Sequence, residues 1–316
     1  MPTSSDPILR PGVAVLGTGG TIAGVATGDP SLPGYTAGAL GVDALLERVP
    51  ALKRLAAVEA EQVANIDSKD MDVAVWCRLA QRVAHWLAQP QIAGCVVTHG
   101  SDTLEETAYF LHLVHRSSKP VVLTAAMRPA TALDADGPQN LLDAVRTAIS
   151  PVARGLGAVC VLQGRVHAAR DVTKARADSI DAFASGERGP IGRLRGDDVE
   201  IWRRAPDEAG APFEVPDPVR RPRVDLLVSH AGADGRLLRS ALRDADRPHG
   251  VVIAGTGNGT IHGAIESAMA EARAQGVRIE IASRVGPLHG GAGDGLNAVK
   301  LRVRMLLELS AEGAGA

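Results

Sequence analysis

Short apolar runs alternate with segments of helical period along most of this chain, and no other feature restricts its fold as strongly. "VAVLG", "IAGCVVTH", "KPVVLTAA" and "GAVCVLQ" read as strands. Between them lie "MDVAVWCRLAQRVAHWLA", "DTLEETAYFLHLVHR" and "GPQNLLDAVRTAI", with apolar residues at helical spacing. Strand–helix–strand repetition sets strands parallel and covers both faces of a sheet with helices. The alternation lapses between Arg176 and Arg223, in "SGERGPIGRLRGDD" and "RRAPDEAGAPFEVPDPVRRPR", and the second of these reads as an inter-domain linker. It resumes with "VDLLVSH", "RLLRSALRDA", "GVVIAG", "TIHGAIESAMAEARAQG", "VRIEIAS" and "AVKLRVRMLLELS". The expectation is an α/β chain: a larger N-terminal domain (1–205) on a mainly parallel sheet flanked by helices, a linker (206–223), and a smaller C-terminal α/β domain (224–316).

A length of 316 residues suits that division. The formal net charge of −2 supplies no global field for nucleic acid, and 3% aromatic residues offer few stacking platforms. No apolar stretch approaches the roughly 20 residues that span a bilayer. The opening "MPTSSDPILRPG" lacks the basic and apolar regions of a secretory leader. Neither nucleic acid nor a membrane is therefore an expected partner. The three cysteines, Cys77, Cys95 and Cys160, fit no zinc spacing, and the last two sit in apolar runs and read as buried thiols. Cytoplasmic residence is the expectation.

After the first strand comes "LGTGGTIAGV", three glycines in four residues with Thr18 among them and Thr21 next. A phosphate loop is the first candidate. Gly17, Gly19, Gly20 and Gly24 miss the dinucleotide spacing, and Gly24 is followed by Val25 where a Walker loop carries Lys and a hydroxyl residue. Gly28, Pro30, Pro33 and Gly34 also forbid the helix that would meet a phosphate, so a long mobile loop is expected there. The alternatives are that Thr18, Thr21 and Tyr35 cap turns, or that they react.

"VVTHGSDTLEETAYF" sets a second hydroxyl and carboxylate at a strand end. Asp102 with Glu105, and Thr103 with Glu106, fit the spacing of a capping box, so a well-capped helix accounts for much of the stretch. It does not account for the compact, polar His99-Gly100-Ser101. Further on, "ARDVTKARA" holds Lys174, either a surface lysine or one desolvated near Ser101 and able to act as a base.

"TGGTIAG", "YTAG", "THGSDTLEETAYF", "AAMRP", "DGPQNL" and "RDVTK" stand in the order found in bacterial-type L-asparaginases. The chain resembles that asparaginase/glutaminase family from about residue 12 to at least residue 284. The resemblance implies a nucleophilic Thr21, a Tyr35 that helps to activate it, and a second hydroxyl at Ser101 partnered by Lys174. It implies that Asp102 binds the substrate's α-ammonium group and Ser68 its α-carboxylate. It further implies L-asparagine as the small-molecule substrate, with weaker action on L-glutamine, no metal or organic cofactor, and a homo-oligomer, dimer or tetramer, with sites between subunits. A structural role is expected for His99, which stands apart from other histidines.

Four positions depart from the family pattern. Ser101 replaces threonine and keeps the hydroxyl. Lys69 replaces the Gln or Glu that helps to hold the α-ammonium group, so it repels that group unless it points away or pairs with Asp67 or Asp70. Thr260 stands where the family often has Asn or Ser. The acid-bearing loop after "ASRV" is shortened, with Asp294 its one carboxylate. Two alternatives follow: a hydrolase of another small amide, or a non-catalytic amino-acid-binding protein on the same scaffold.

Overall fold

The computed structural model describes residues 10–27, 34–205, 212–288 and 295–313. Asp294 and part of the expected linker lie outside the described residues. The chain divides into two compact units, residues 1–207 and 208–316.

The first unit opens with β1 (Gly12–Gly19), a hairpin of β2 (Val25–Ala26) and β3 (Tyr35–Thr36), the short helices α1 (Val42–Glu47) and α2 (Leu52–Leu55), and β4 (Ala57–Ile66). Then come α3 (Val73–Leu87), β5 (Ile92–Thr98), α4 (Leu104–Val114), β6 (Val121–Thr124), α5 (Gly137–Ile149) and β7 (Ala158–Leu162). Five more strands complete it: β8 (Arg165–Ala168), β9 (Thr173–Lys174), β10 (Phe183–Ala184), β11 (Gly192–Arg195) and β12 (Asp198–Ile201).

Eight of these strands form one sheet in the order β12-β11-β8-β7-β6-β5-β1-β4. The run from β4 to β7 is parallel. β1, β5, β6 and β7 read as nearly continuous apolar runs because helices cover both of their faces. On one face Val13, Val15, Val96, Val122 and Val159 share a core with Val42 and Leu45 of α1, Leu52 of α2, and Leu141 and Ala144 of α5. The alternate side chains face α3 and α4. There Trp76 stacks on Phe110 with ring centroids 5.1 Å apart and donates Nε1–H to Thr107 Oγ1 at 2.8 Å. The Asp72 carboxylate caps α3 by accepting from Val75 N at 2.8 Å.

Two features depart from the sequence expectation. The stretch "SGERGPIGRLRGDD", read as a lapse, contributes β11, which with β12 forms a hairpin that extends the sheet in antiparallel fashion beyond β8. The edge strand β4 has no apolar run to announce it: "AVEAEQVANI" alternates polar and apolar residues and is exposed along much of its length. Its parallel pairing with β1, from Gly12↔Ala57 onward, holds it in the sheet.

The second unit has a three-stranded parallel sheet in the order β13 (Val224–Val228), β14 (Gly250–Gly255), β15 (Arg278–Ser283). Its helices are α6 (Arg236–Leu242), α7 (Gly263–Ala274) and α8 (Ala298–Gly313). Leu238, Leu242, Ile265, Ala268 and Met269 pack with Val251 and Ile253 into its own core. The expected fold class, a larger mainly parallel domain with a smaller α/β one, is the observed architecture. Among the described residues no helix is long and apolar enough to cross a membrane.

Candidate active site

In the first sheet, the chain leaves β1, pairs β4 on one side of it and β5 on the other. That reversal opens a crevice at the carboxyl ends of the strands, the place where open α/β sheets bind ligands. Gly17 of β1 lies opposite Thr98 of β5, and Gly19 opposite Ile66 of β4, so three neighbouring strands end together. Thr21 follows the first, Ser101 and Asp102 follow the second, and Ser68 follows the third.

The turns after β1 and β5 meet backbone to backbone. Gly20 has φ of +78° and ψ of −172°, a conformation open in practice only to glycine. Thr18 Oγ1 reinforces the junction by donating to Thr98 O at 2.9 Å, which gives this buried threonine a structural use. The Gly20 N–H donates to Ile66 O at 2.9 Å, joining the third strand end. Ser68 Oγ accepts from Asp102 N at 3.2 Å, and Thr103 Oγ1 donates to Ser68 O at 2.7 Å.

Thr21 is buried, and its Oγ1 lies 2.6 Å from Tyr35 Oη. The β2–β3 pairing, Val25↔Thr36 and Ala26↔Tyr35, brings the phenol back over the threonine. Ala26 N donates to Thr131 Oγ1 at 2.9 Å, and Ala130 N to Gly24 O at 2.9 Å, so the segment after β6 buttresses the hairpin.

Lys174 arrives on the two-residue strand β9, which pairs with β10 and lies outside the large sheet. Its Nζ is 2.9 Å from Ser101 Oγ and 2.6 Å from Asp102 Oδ1. The lysine side chain is mostly buried while the aspartate is half exposed, so the carboxylate offers one side to the amine and the other to solvent. The sequence separations are 73 and 72 residues, and only the tertiary fold brings these groups together.

Lys69 points elsewhere. Its ammonium group pairs with the neighbouring Asp70, its side chain is 62% exposed, and the Asp70 carboxylate holds its pKa above the ordinary lysine value. The charge at this position is thus taken up locally, one of the two arrangements open to it from sequence.

His99 is wholly buried, and burial pushes its pKa down to about 4. Its Nδ1 lies 2.7 Å from Gly100 O; a carbonyl can only accept, so this nitrogen carries the hydrogen. The neutral ring braces the turn from beneath, and among the described residues its Nε2 has no hydrogen-bond partner.

The capping boxes expected at α4 do not form. Thr103 occupies the N-cap without a side-chain capping bond. Its hydroxyl goes to Ser68 O, and Glu105 Oε1 accepts from Thr173 Oγ1 at 2.9 Å and Lys174 N at 3.3 Å. Spacing identified these groups as local acceptors, but tertiary partners claim them. In the second unit Thr260 is likewise occupied locally, with its Oγ1 2.7 Å from Thr256 Oγ1 across a tight turn. No three His, Cys, Asp or Glu side chains among the described residues are grouped to hold a metal ion.

Residues 12–207 match the family model "Asparaginase, N-terminal", and residues 223–306 match "Glutaminase/Asparaginase C-terminal domain". L-asparaginase 2 of Bacillus subtilis (strain 168) is 40% identical over 280 residues, 87% of this chain and 73% of the relative. L-asparaginase 2 of Escherichia coli (strain K12) is 38% identical over 286 residues, 89% of this chain and 80% of the relative. The crystal structure of the probable cytoplasmic L-asparaginase from Campylobacter jejuni superposes with a TM-score of 0.88 at 37% identity, covering 95% of each chain. With both family models matched in order and this likeness extending over nearly its whole length, the chain belongs to the asparaginase family.

Proposed function

We propose that this protein hydrolyses L-asparagine to L-aspartate and ammonia through a threonine acyl-enzyme. The observation that carries the reading is the Thr21–Tyr35 contact of 2.6 Å, set beside Ser101, Lys174 and Asp102 at the switch point of the sheet. An amide is a poor electrophile and a threonine hydroxyl a weak nucleophile, so the reaction needs a proton acceptor on the hydroxyl and donors for the developing oxyanion. Tyr35 Oη accepts the Thr21 proton as Oγ1 attacks the side-chain amide carbon and gives up its own proton towards the amide nitrogen. The tetrahedral intermediate, protonated on that nitrogen, expels ammonia, and water then hydrolyses the ester, its proton returning to Thr21 Oγ1. Because the Gly20 N–H is engaged by Ile66 O, the oxyanion takes its donors from other groups in the crevice.

Asp102 would hold the α-ammonium group and Ser68 the α-carboxylate, with Ser101 and Lys174 completing the relay on the far side of the amide. Pairing of Lys69 with Asp70 supports an α-amino acid as substrate, since it compensates the charge that would repel an ammonium group. Weaker hydrolysis of L-glutamine follows from the same chemistry. A homo-oligomer and cytoplasmic residence complete the proposal, the latter supported by three buried cysteines held as thiols.

Ammonia release from L-asparagine and L-glutamine, with the parent protein beside Thr21→Ala, tests the reading. Release from asparagine that disappears in the variant is the expected result. A folded parent protein that releases none from either amide overturns it.

A further inference from the structure

We propose that Glu105 is a positioning residue for the reaction: its carboxylate fixes the backbone root of Lys174, and so the placement of the amine against Ser101. This rests on the reading of Lys174 as the partner of the Ser101 hydroxyl.

Lys174 is carried by one of the shortest elements of its unit. β9 has two residues and one strand partner, also of two residues, and neither joins the eight-stranded sheet. A two-stranded ribbon of that length has little stability of its own. Glu105 supplies an anchor. It lies in the first turn of α4, it is buried, and one carboxylate oxygen accepts from both Thr173 Oγ1 (2.9 Å) and Lys174 N (3.3 Å). The two donors belong to consecutive residues and comprise all of β9.

The other end of Lys174 is held by the same short stretch of chain. Its Nζ contacts Ser101 Oγ and Asp102 Oδ1, four and three residues before Glu105. The start of α4 therefore grips the lysine twice, by its backbone through Glu105 and by its amine through Ser101 and Asp102. A lysine side chain has a flexible four-carbon stem, so contacts at the amine alone leave the root free to move. Fixing both ends holds the amine at hydrogen-bond distance from the hydroxyl. Displacements of about 1 Å in such a constellation cost about 100-fold in rate. The acceptor here is one oxygen, which a glutamine also possesses. An alanine has none, and the shorter aspartate reaches less far.

The test uses the full chain and steady-state kinetics on L-asparagine with Glu105→Ala, Glu105→Gln and Thr173→Val, beside Lys174→Met. Glu105→Ala is expected to lower kcat by about 30- to 100-fold with KM changed less than about threefold, since placement rather than substrate binding is lost. Glu105→Gln is expected to restore kcat to within about fivefold of the parent protein. Thr173→Val, which leaves the carboxylate in place, is expected to lower kcat by about three- to tenfold and answers the question should Glu105→Ala fail to fold. An unchanged kcat in Thr173→Val and Glu105→Ala overturns the proposal, as does a Glu105→Gln protein no better than Glu105→Ala. The two readings separate through Lys174→Met. If that variant turns over normally, the reading of Lys174 fails and the positioning role falls with it. If it is inactive while Glu105→Ala is not, only the positioning role is overturned.

Discussion

A Cβ atom on Gly20 would stand 2.2 Å from the Cα of Gly100, so the turn that carries Thr21 and the turn that carries Ser101 touch with no side chain between them. The contact is reciprocal in effect. A Cβ on Gly100 would meet Ser68 Oγ at 2.5 Å, which draws the third strand end into the same junction. Gly20→Ala must therefore part the turns and also strain a backbone with φ of +78°. We expect activity to fall by at least about 100-fold, with a stability loss of about 1–3 kcal/mol. Specific activity and a denaturant midpoint on the same preparation check both, and a variant of normal activity would show that the junction tolerates opening.

Tyr35 touches Thr21 through its hydroxyl, while its side chain lies at the surface of a short hairpin and is 41% exposed. Tyr35→Phe removes the proton acceptor and leaves the ring. The expected fall in kcat is about 10²- to 10³-fold, typical of a lost general base. The melting temperature should stay near that of the parent protein, because the ring is kept and the tyrosine side chain is partly solvated. Retention of more than about a tenth of the parent kcat would assign the activation of Thr21 to another group.

Lys69 and Asp70 are both largely exposed, and the ion pair between them is screened by solvent. Lys69→Gln is expected to leave the melting temperature unchanged and to move KM for L-asparagine by less than about threefold. A KM lowered by ten times or more would mean that the lysine turns into the crevice and opposes the α-ammonium group.

His99 predicts an acid limb in stability. Its pKa is about 4 in the fold, against 6.5 for an unperturbed histidine, because burial disfavours the imidazolium. Between those values the unfolded chain binds the proton and the native protein does not, so stability falls as pH drops from about 6.5 towards 4 and levels off below. The full difference is about 3 kcal/mol at about 1.4 kcal/mol per pKa unit. Chemical denaturation across this range, with His99→Asn as the control that cannot titrate, should show a steeper decline in the parent protein. Parallel curves would assign the acid sensitivity elsewhere.

How much of this was legible before folding differs from element to element. β1, β5 and β7 announced themselves because burial on both faces demands unbroken apolar runs, and α3 because one face is apolar and the other wet. β4 did not, since an edge strand half in water carries Glu59 and Glu61 as readily as valine. The antiparallel β11–β12 extension was hidden for the same reason, in a short segment rich in glycine and charge.

The hydroxyls of Thr21 and Ser101 and the Asp102 carboxylate were visible as residue types at strand ends, because the order of strands and glycine-rich turns is written locally, while Lys174 was visible only as a surface lysine or a base near Ser101. Their partners were not. Local spacing offered Thr103 and Glu105 as caps for α4, while the folded chain turns one to Ser68 and the other to β9. Lys69 could face the crevice or Asp70 with equal propriety in sequence, and the fold sets it on Asp70. Sequence alone determined which chemical groups stand at the ends of the strands, since backbone preference and hydrophobic period act over a few residues. Tertiary structure decided which of those groups meet, since a hydrogen bond between residues 73 positions apart exists only after the sheet, α4 and the β9–β10 pair have packed to hold both.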